Sequence, residues 1–217
     1  MDETRAREMQ AALCETAKKM YHSGLVAGTW GNLSVRIDDD YMVVTPSGMN
    51  YDTLDADDMV VMNMHDYTYR GHRKPSIEYY MHAELLLQNP GMNAVVHTHS
   101  TYALMMATAR KPIPPVCDDQ VQILGGDIRL AEYTMPGTLE MAKTIAEAMK
   151  GRAGALIPNH GAVTIGPTLD QALLASVVLE KTAQVYIGTL ALGGPVELGE
   201  KDVEAMHDFF LNKYGQR

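Results

Sequence analysis

Two apolar runs that each lead to histidine restrict the fold of this sequence more than any other feature. In the first, Ala94-Val95-Val96 runs directly into His97-Thr98-His99. Because side chains two residues apart in a strand point to the same face, His97 and His99 are predicted to project together from the end of a buried strand. In the second, residues 153–157 lead to His160 in a glycine-containing turn. Three histidines at strand ends favour one shared site.

A metal ion would explain such a cluster. Neutral imidazole is a common zinc ligand, although a single His-x-His pair leaves the question open and the third histidine is what favours a metal. Three protein ligands with an open fourth position are typical of a catalytic metal. The other histidines lie on predicted helices or loops and are interpreted as solvated; they are His22, His65, His72, His82 and His207.

Composition limits the remaining function classes. A length of 217 residues, with 46% apolar and 21% charged residues, fits one domain spanning 1–217. The net charge of −9 and the scattered basic residues argue against a nucleic-acid surface. No apolar segment approaches the ~18 residues of a membrane span, and the charged start at residues 1–5 lacks the apolar core of a signal peptide. We therefore expect a cytoplasmic protein that binds neither nucleic acid nor membrane.

The order of the predicted elements indicates a mostly antiparallel sheet flanked by helices. Strands are predicted within 28–36 and at 41–44, 59–64, 94–99, 128–133 and 153–157, and helices at 4–22, 76–87, 100–109, 138–150, 169–192 and 200–214. This order predicts an α/β fold, a single-domain sandwich.

Glu78 is the best candidate for acid–base chemistry. It is predicted to lie in the first turn of a helix that Ser76 caps, where the helix dipole favours a carboxylate; a purely structural acid is the alternative. Two turns could bind an anion through backbone N–H groups and hydroxyls, namely 45–48 (Thr-Pro-Ser-Gly) and the Gly31-Asn32 turn. Such turns suit phosphate, although ordinary turns use the same residues.

Five motifs in order give the chain a family resemblance. They are Gly-Asn-Leu-Ser (31–34), Thr-Pro-Ser-Gly (45–48), Pro-Ser-Ile-Glu (75–78), His-Thr-His-Ser (97–100) and Asn-His-Gly (159–161). This set resembles the class II aldolase/adducin family and is closest in pattern to its L-fuculose-1-phosphate aldolase branch. The resemblance implies a class II aldolase/adducin-like fold and a C4 homotetramer with the site at a subunit interface.

The resemblance also implies roles for individual residues. His97, His99 and His160 would hold Zn2+, with Mn2+ or Co2+ as substitutes, and Glu78 would be the catalytic acid/base and complete the metal shell. The substrate phosphate would be gripped by Asn32, Thr45, Ser47, Gly48 and Ser76. Ile77 replaces a serine that is usual in the branch, so one hydroxyl is lost there while a backbone N–H remains.

The implied reaction is the cleavage of a ketose 1-phosphate to dihydroxyacetone phosphate and an aldehyde, through a metal-stabilised enediolate. The substrate would be similar to L-fuculose 1-phosphate or be a deoxy- or methylthio-pentulose 1-phosphate, which places the protein in carbohydrate metabolism. A second acid/base would be Tyr214, which resembles the family's C-terminal tyrosine, or Asp119, which falls near the position of another family tyrosine.

Three alternatives remain open. A ribulose-5-phosphate 4-epimerase would use the same metal chemistry, but that branch has an aspartate at the position of Glu78. Dehydratase and decarboxylase branches keep the three histidines. A non-catalytic adducin-like interaction domain has no need of an intact set of histidines and Glu78.

Overall fold

A computed structural model describes residues 1–216 and places all strands of this part in one eight-stranded sheet, with helices on both faces. The strands are β1 (Asn32–Arg36), β2 (Tyr41–Val44), β3 (Val60–Asn63), β4 (Tyr69–Arg70), β5 (Ala94–Thr98), β6 (Arg129–Leu130), β7 (Gly154–Ile157) and β8 (Gly161–Gly166). The helices are α1 (Glu3–His22), α2 (Tyr79–Gln88), α3 (Thr101–Thr108), α4 (Asp118–Leu124), α5 (Leu139–Ala148), α6 (Leu169–Leu190) and α7 (Glu200–Asn212). This is the α/β sandwich that the sequence predicts.

The strand that carries the histidine pair lies in the middle of the sheet. The strand order is β4-β3-β2-β1-β5-β8-β7-β6, and every pair is antiparallel except β6 with β7. Asn32 on β1 and Val163 on β8 pair with His97 from its two sides. The register therefore fixes which side chains flank the first histidine.

Both faces of the sheet are buried, which explains the uninterrupted apolar run before His97. Val95 packs in the cluster formed with α2 and α5, whereas Ala94 and Val96 pack in the cluster formed with α1 and the start of α6. Side chains alternate along a strand, so His97 lies on the same face as Val95, beneath α2. Polar groups at this end of β5 consequently stand in a poorly hydrated environment.

The structure corrects several predicted boundaries. It adds β8, β4 and α4, and it shortens the strand predicted at 128–133 to Arg129–Leu130. The helix predicted from 76 begins at Tyr79, so Ser76 does not cap it and Glu78 itself occupies the N-cap position. The reason is that Ser76 N–H donates to the Thr45 carbonyl oxygen, which holds this segment extended beside the 45–48 turn. None of the helices within residues 1–216 is long and apolar enough to cross a membrane.

Candidate active site

The structure brings the three predicted histidines together. His97 and His99 come from the end of β5, and His160 comes from the turn between β7 and β8. The Nε2 atoms of His97 and His99 are 3.0 Å apart, and each pair of the three rings has a centroid distance of 4.8 Å. One potential ligand atom from each ring lies within 4.8 Å of the other two. The cluster therefore combines an i, i+2 pair on one strand with a residue that only the fold can supply.

Close packing of β8 against β5 creates this meeting point. A side chain at Gly161 would collide with the Thr98 carbonyl oxygen, so glycine is required directly after His160. The next residue, Ala162, offers its carbonyl oxygen 2.9 Å from His97 Nδ1. Since a carbonyl can only accept, His97 Nδ1–H donates, and a neutral His97 then keeps the lone pair of Nε2 for the cluster.

Glu78 supplies a carboxylate to the same cluster. Its Oε2 lies 3.3 Å from His97 Nε2, and its Oε1 lies 3.2 Å from His160 Nε2. The Asn32 side chain donates from Nδ2 to Glu78 Oε2 over 2.7 Å. Glu78 is almost completely buried, so a carboxylate is held against two imidazoles and an amide, away from water.

The surroundings lower the pKa values of His99, His160 and Glu78, which favours neutral imidazoles and an ionised carboxylate. Burial and the neighbouring His97 and His160 lower the pKa of His99 to about 3. Burial and His97 lower the pKa of His160 to about 4, against the opposing effect of Glu78. Burial by itself raises the pKa of Glu78, but His97, His160 and the Asn32 hydrogen bond together outweigh it and leave that pKa below its ordinary value. At neutral pH, His99 and His160 are therefore neutral and Glu78 is ionised.

This donor set fits a divalent metal ion. Two nitrogens bound to one tetrahedral zinc at about 2.0–2.1 Å would stand about 3.3 Å apart, close to the 3.0 Å between His97 and His99. Neutral imidazoles and an ionised carboxylate are the protonation states that a metal requires. Glu78 Oε1 and His160 Nδ1 are buried without a hydrogen-bond partner among residues 1–216, so Oε1 has a free acceptor site facing the cluster.

A cavity of about 620 Å³ opens above the cluster, and the predicted anion-binding turns form part of its wall. The turns at 45–48 and 75–78 are joined by two backbone hydrogen bonds, from Ser47 N–H to the Lys74 carbonyl and from Ser76 N–H to the Thr45 carbonyl, of 3.0 and 2.9 Å. The cavity is lined on this side by Asn32, Ser47, Gly48, Ser76 and Ile77. Two motifs separated by almost thirty residues thus face one space.

These hydrogen bonds also determine which donors remain for a ligand. The backbone N–H groups of Ser47 and Ser76 are already used, whereas those of Gly48 and Ile77 have no partner among residues 1–216. Thr45 is buried behind the cavity wall, and its hydroxyl accepts the Leu33 N–H over 3.2 Å. The available donors are thus two backbone N–H groups and two serine hydroxyls, whereas Thr45 shapes the turn from behind.

The geometry can now be compared with known proteins. The sequence model of the Class II Aldolase and Adducin N-terminal domain matches residues 11–187. The chain belongs to this family. Its membership confirms the predicted resemblance, and its aldolase relatives show that the chain is an enzyme, a class II aldolase.

Several aldolases match this class II aldolase over almost their whole length. It is 34% identical over 202 residues to a 5-methylthioribulose-1-phosphate/5-deoxyribulose-1-phosphate aldolase of Rhodospirillum rubrum, covering 93% of this chain and 90% of the relative. It is 33% identical to a 5-deoxy-D-ribulose 1-phosphate aldolase of Bacillus thuringiensis, and the match covers 92% of this chain and 93% of the relative. The solved structure of an L-fuculose 1-phosphate aldolase superposes with a TM-score of 0.90 at 34% identity, and the match covers 94% of this chain and 96% of the aldolase chain.

Neither predicted second acid/base of this class II aldolase lines the cavity of its own chain. Tyr214 is 58% exposed near the C-terminus, where its ring contacts Phe209 and Phe210. Asp119, at the start of α4, forms an ion pair with Lys181 on α6. Among residues 1–216 of one chain, Glu78 is therefore the one acidic residue that lines the cavity.

Sequence reasoning missed an apolar wall of the cavity. Trp30 is 65% exposed, and its ring centroid lies 5.6 Å from that of His99. Tyr133, which is 60% exposed, and Leu104 line the cavity as well. The signal available in the sequence was a tryptophan directly before the Gly-Asn-Leu-Ser motif. In the structure, its exposed ring beside a cavity is typical of ligand contact.

The interpretation of His82 as solvated was wrong. His82 lies on α2 and is fully buried, with Nε2 2.5 Å from Asn32 Oδ1 and Nδ1 2.7 Å from Ser34 Oγ. Burial first and the nearby His97 second lower its pKa to about 3. It is therefore a neutral residue of the protein interior, connected through Asn32 to Glu78.

Proposed function

We propose that this protein is a metal-dependent aldolase that cleaves a ketose 1-phosphate to dihydroxyacetone phosphate and an aldehyde. One observation carries the proposal: the Glu78 carboxylate lies within 3.3 Å of two of the three clustered imidazoles, at the base of a cavity of about 620 Å³. The cavity has the size of a small-ligand site.

His97, His99 and His160 are the residues that would hold a divalent ion, with Zn2+ first and Mn2+ or Co2+ as substitutes, and Glu78 could complete the shell. The preference for zinc follows from the all-imidazole set, which leaves a position for substrate. When bound, the ion supplies Lewis acidity that stabilises the negative charge developing on the substrate oxygens next to the broken bond.

Glu78 would transfer the proton to C3 after the C3–C4 bond breaks. Breaking the C3–C4 bond leaves an electron pair at C3, and a proton must reach C3 to yield dihydroxyacetone phosphate. In the condensation direction the same group removes that proton. The hydrogen bond from Asn32 fixes one carboxylate oxygen and leaves Oε1 free to act.

A second group must remove the proton from the C4 hydroxyl as the aldehyde forms. Tyr214 and Asp119 do not line the cavity of their own chain, so we place this acid/base on a neighbouring subunit of a C4 homotetramer with the site at the interface. Tyr214 is the better candidate, because the Asp119 carboxylate is already paired with Lys181.

The phosphate would bind where the two turns meet. Gly48 and Ile77 offer unpaired backbone N–H groups, Ser47 and Ser76 offer hydroxyls, and Asn32 keeps a second amide hydrogen. The side chain of Ile77 contributes no polar contact there. Oriented backbone N–H groups and hydroxyls of this kind form a concavity that suits the phosphate of a small ester.

The aldehyde end is expected to be apolar, because Trp30 lies beside His99 and Leu104 and Tyr133 line the same cavity. A 5-deoxy or 5-methylthio group matches such a wall better than a chain of hydroxyls, which would lose water without replacement hydrogen bonds. The names of the Rhodospirillum and Bacillus relatives refer to substrates of that kind. A 5-deoxy- or 5-methylthio-pentulose 1-phosphate is thus the preferred substrate, ahead of L-fuculose 1-phosphate.

The test is a substrate panel with metal-loaded protein. It comprises 5-deoxyribulose, 5-methylthioribulose and L-fuculose 1-phosphates together with ribulose 5-phosphate, and it measures dihydroxyacetone phosphate. Release from at least one ketose 1-phosphate is the expected result. Interconversion of pentulose 5-phosphates with no triose phosphate released would replace the aldolase with an epimerase. The predicted cytoplasmic location stays a prediction.

The role of Glu78 is tested by Glu78→Gln. The variant keeps all three histidines and should still bind metal, while turnover falls by about 10²- to 10⁴-fold because the acid/base is gone. Glu84→Gln makes the same chemical change on an outer part of α2 and should leave turnover unchanged. Retention of activity by Glu78→Gln within a few-fold contradicts the assignment.

A further inference from the structure

A chain of four polar side chains runs from the interior of the protein to Glu78. Ser34 Oγ lies 2.7 Å from His82 Nδ1, His82 Nε2 lies 2.5 Å from Asn32 Oδ1, and Asn32 Nδ2 lies 2.7 Å from Glu78 Oε2. All four residues are buried. A buried network of this kind is held together only while every member has the correct donor or acceptor facing its neighbour.

The chemistry of the end group determines the direction of every hydrogen bond. An ionised Glu78 can only accept, so Asn32 must present its NH2 group to the carboxylate and its oxygen to His82. The Asn32 oxygen can only accept in turn, which requires the proton of His82 on Nε2. The other ring nitrogen then accepts from the Ser34 hydroxyl. One ionised carboxylate thus specifies the tautomer of a histidine two residues away in the network.

The elements explain why these four side chains meet. Asn32 and Ser34 are two apart on β1 and share the face that looks towards α2, as their partners His97 and Val95 do on β5. Glu78 and His82 are four apart at the start of α2, so they lie on the same side of the helix. The pattern Asn-x-Ser on a strand facing Glu-x-x-x-His on a helix produces the network.

We propose that His82, as the Nε2–H tautomer, is a positioning residue that locks the Asn32 amide with its NH2 group towards Glu78 and the cavity. This inference rests on the proposed function, because the orientation of Glu78 matters for turnover only if Glu78 transfers the proton. His82 does not touch the substrate and is not a catalytic residue.

Loss of the His82 N–H would leave the Asn32 oxygen without its buried donor and so weaken the constraint on which way the amide faces. A rotated Asn32 would place its oxygen against the Glu78 carboxylate, and two acceptors at 2.7 Å repel each other. The carboxylate would turn away from His97 and His160, and the second amide hydrogen would no longer point into the cavity. The neutral state that the network needs is the one that burial enforces, since the pKa of His82 is lowered to about 3.

Paired variants separate positioning from simple core filling. His82→Leu removes the N–H donor, and kcat should fall by about 10- to 100-fold, the usual effect of removing a group that orients a site residue. His82→Gln offers an amide N–H to Asn32 and should recover most of that loss. Thr164→Val is the matched control, because it removes buried hydrogen bonds to Ser176 and the Ala172 carbonyl on the other face of the sheet. It should leave kcat unchanged. A folded His82→Leu protein with the kcat of the wild type overturns the proposal.

A measurement without substrate keeps this test independent of the proposed reaction. The nitrogen-15 chemical shifts of the His82 ring in the wild-type protein report its tautomer directly. A protonated Nε2 and an unprotonated Nδ1 are expected, and the opposite tautomer or a protonated ring overturns the inference even if His82→Leu fails to fold. If the wild type cleaves no ketose 1-phosphate, the proposed function fails, whereas the tautomer result stands on its own.

Discussion

Gly31→Ala is the substitution that most directly tests how the β1–β5 contact supports the site. Gly31 has φ +78°, and an added Cβ would lie 2.5 Å from Val26 Cγ1 and 2.8 Å from the His97 carbonyl oxygen. The left-handed backbone costs a residue with a side chain about 1–2 kcal/mol, and overpacking costs about 1–3 kcal/mol more, so the free energy of unfolding should fall by about 2–5 kcal/mol.

The same clash should reach the proposed metal ligands. Ordinary van der Waals contact begins near 3.4 Å, so the His97 backbone must retreat by about 0.6 Å, while metal–ligand distances tolerate only about 0.2 Å. Metal affinity is therefore expected to fall by about tenfold or more.

Gly24→Ala is the matched control. Gly24 has nearly the same φ, +77°, but no atom lies within 4 Å of its added Cβ, so it should show only the backbone cost of about 1–2 kcal/mol and wild-type metal binding. Denaturant unfolding of the metal-free proteins and competition with a chelator measure the two quantities. If both variants lose equal stability and both bind metal as the wild type does, then the close contact between Gly31 and the His97 backbone is not needed to position the site.

Three further outcomes follow from individual residues. As the pH falls from 7 to 5, the metal-free protein should lose stability, because His82 becomes protonated in the unfolded chain but not in the folded protein, where its pKa is about 3. The loss of unfolding free energy due to His82 is about 2 kcal/mol at pH 5. Denaturation of His82→Gln at the two pH values should lack this loss. Glu180→Gln replaces the carboxylate that accepts hydrogen bonds from the backbone N–H groups of Tyr102 and Ala103 at 2.9 and 2.8 Å. The free energy of unfolding should fall by about 1–2 kcal/mol in the same assay. Trp30→Ala should lower kcat/KM for a 5-methylthio substrate by about tenfold relative to a hydroxylated one, and an unchanged ratio would remove Trp30 from the aldehyde wall.

The three clustered histidines could be predicted from the sequence because local patterns indicate them. His97 and His99 follow a buried strand at a spacing of two, and this spacing alone directs both to one face. His160 follows a second apolar strand into a turn. Glu78 is singled out as an acid/base candidate partly because it is predicted to lie in the first turn of a helix. In the structure it occupies the N-cap position instead.

Features that depend on distant partners could not be found this way. β8 is a short segment between a Pro-Asn-His-Gly turn and Pro167, and its pairing with β5 joins residues more than sixty apart. The burial of His82 depends on Asn32 and Ser34, fifty and forty-eight residues away. Local polarity predicts solvent for such a histidine, and only the packing of α2 over β1 reverses that prediction.

The burial that makes this site costly for the fold also sets the protonation states that the proposed chemistry needs. In water, acidification would charge His99 and His160 near their ordinary pKa, whereas here desolvation lowers both values to about 3 and about 4. The imidazoles therefore stay available as neutral ligands well below neutral pH. Glu78 remains ionised under the same conditions because the histidines and Asn32 stabilise its charge more than burial opposes it. An exposed cluster of the same residues would cost the fold less stability, but protons would then compete with the metal for every imidazole. Burial therefore lowers the stability of the fold and, in return, keeps the imidazoles neutral for metal binding.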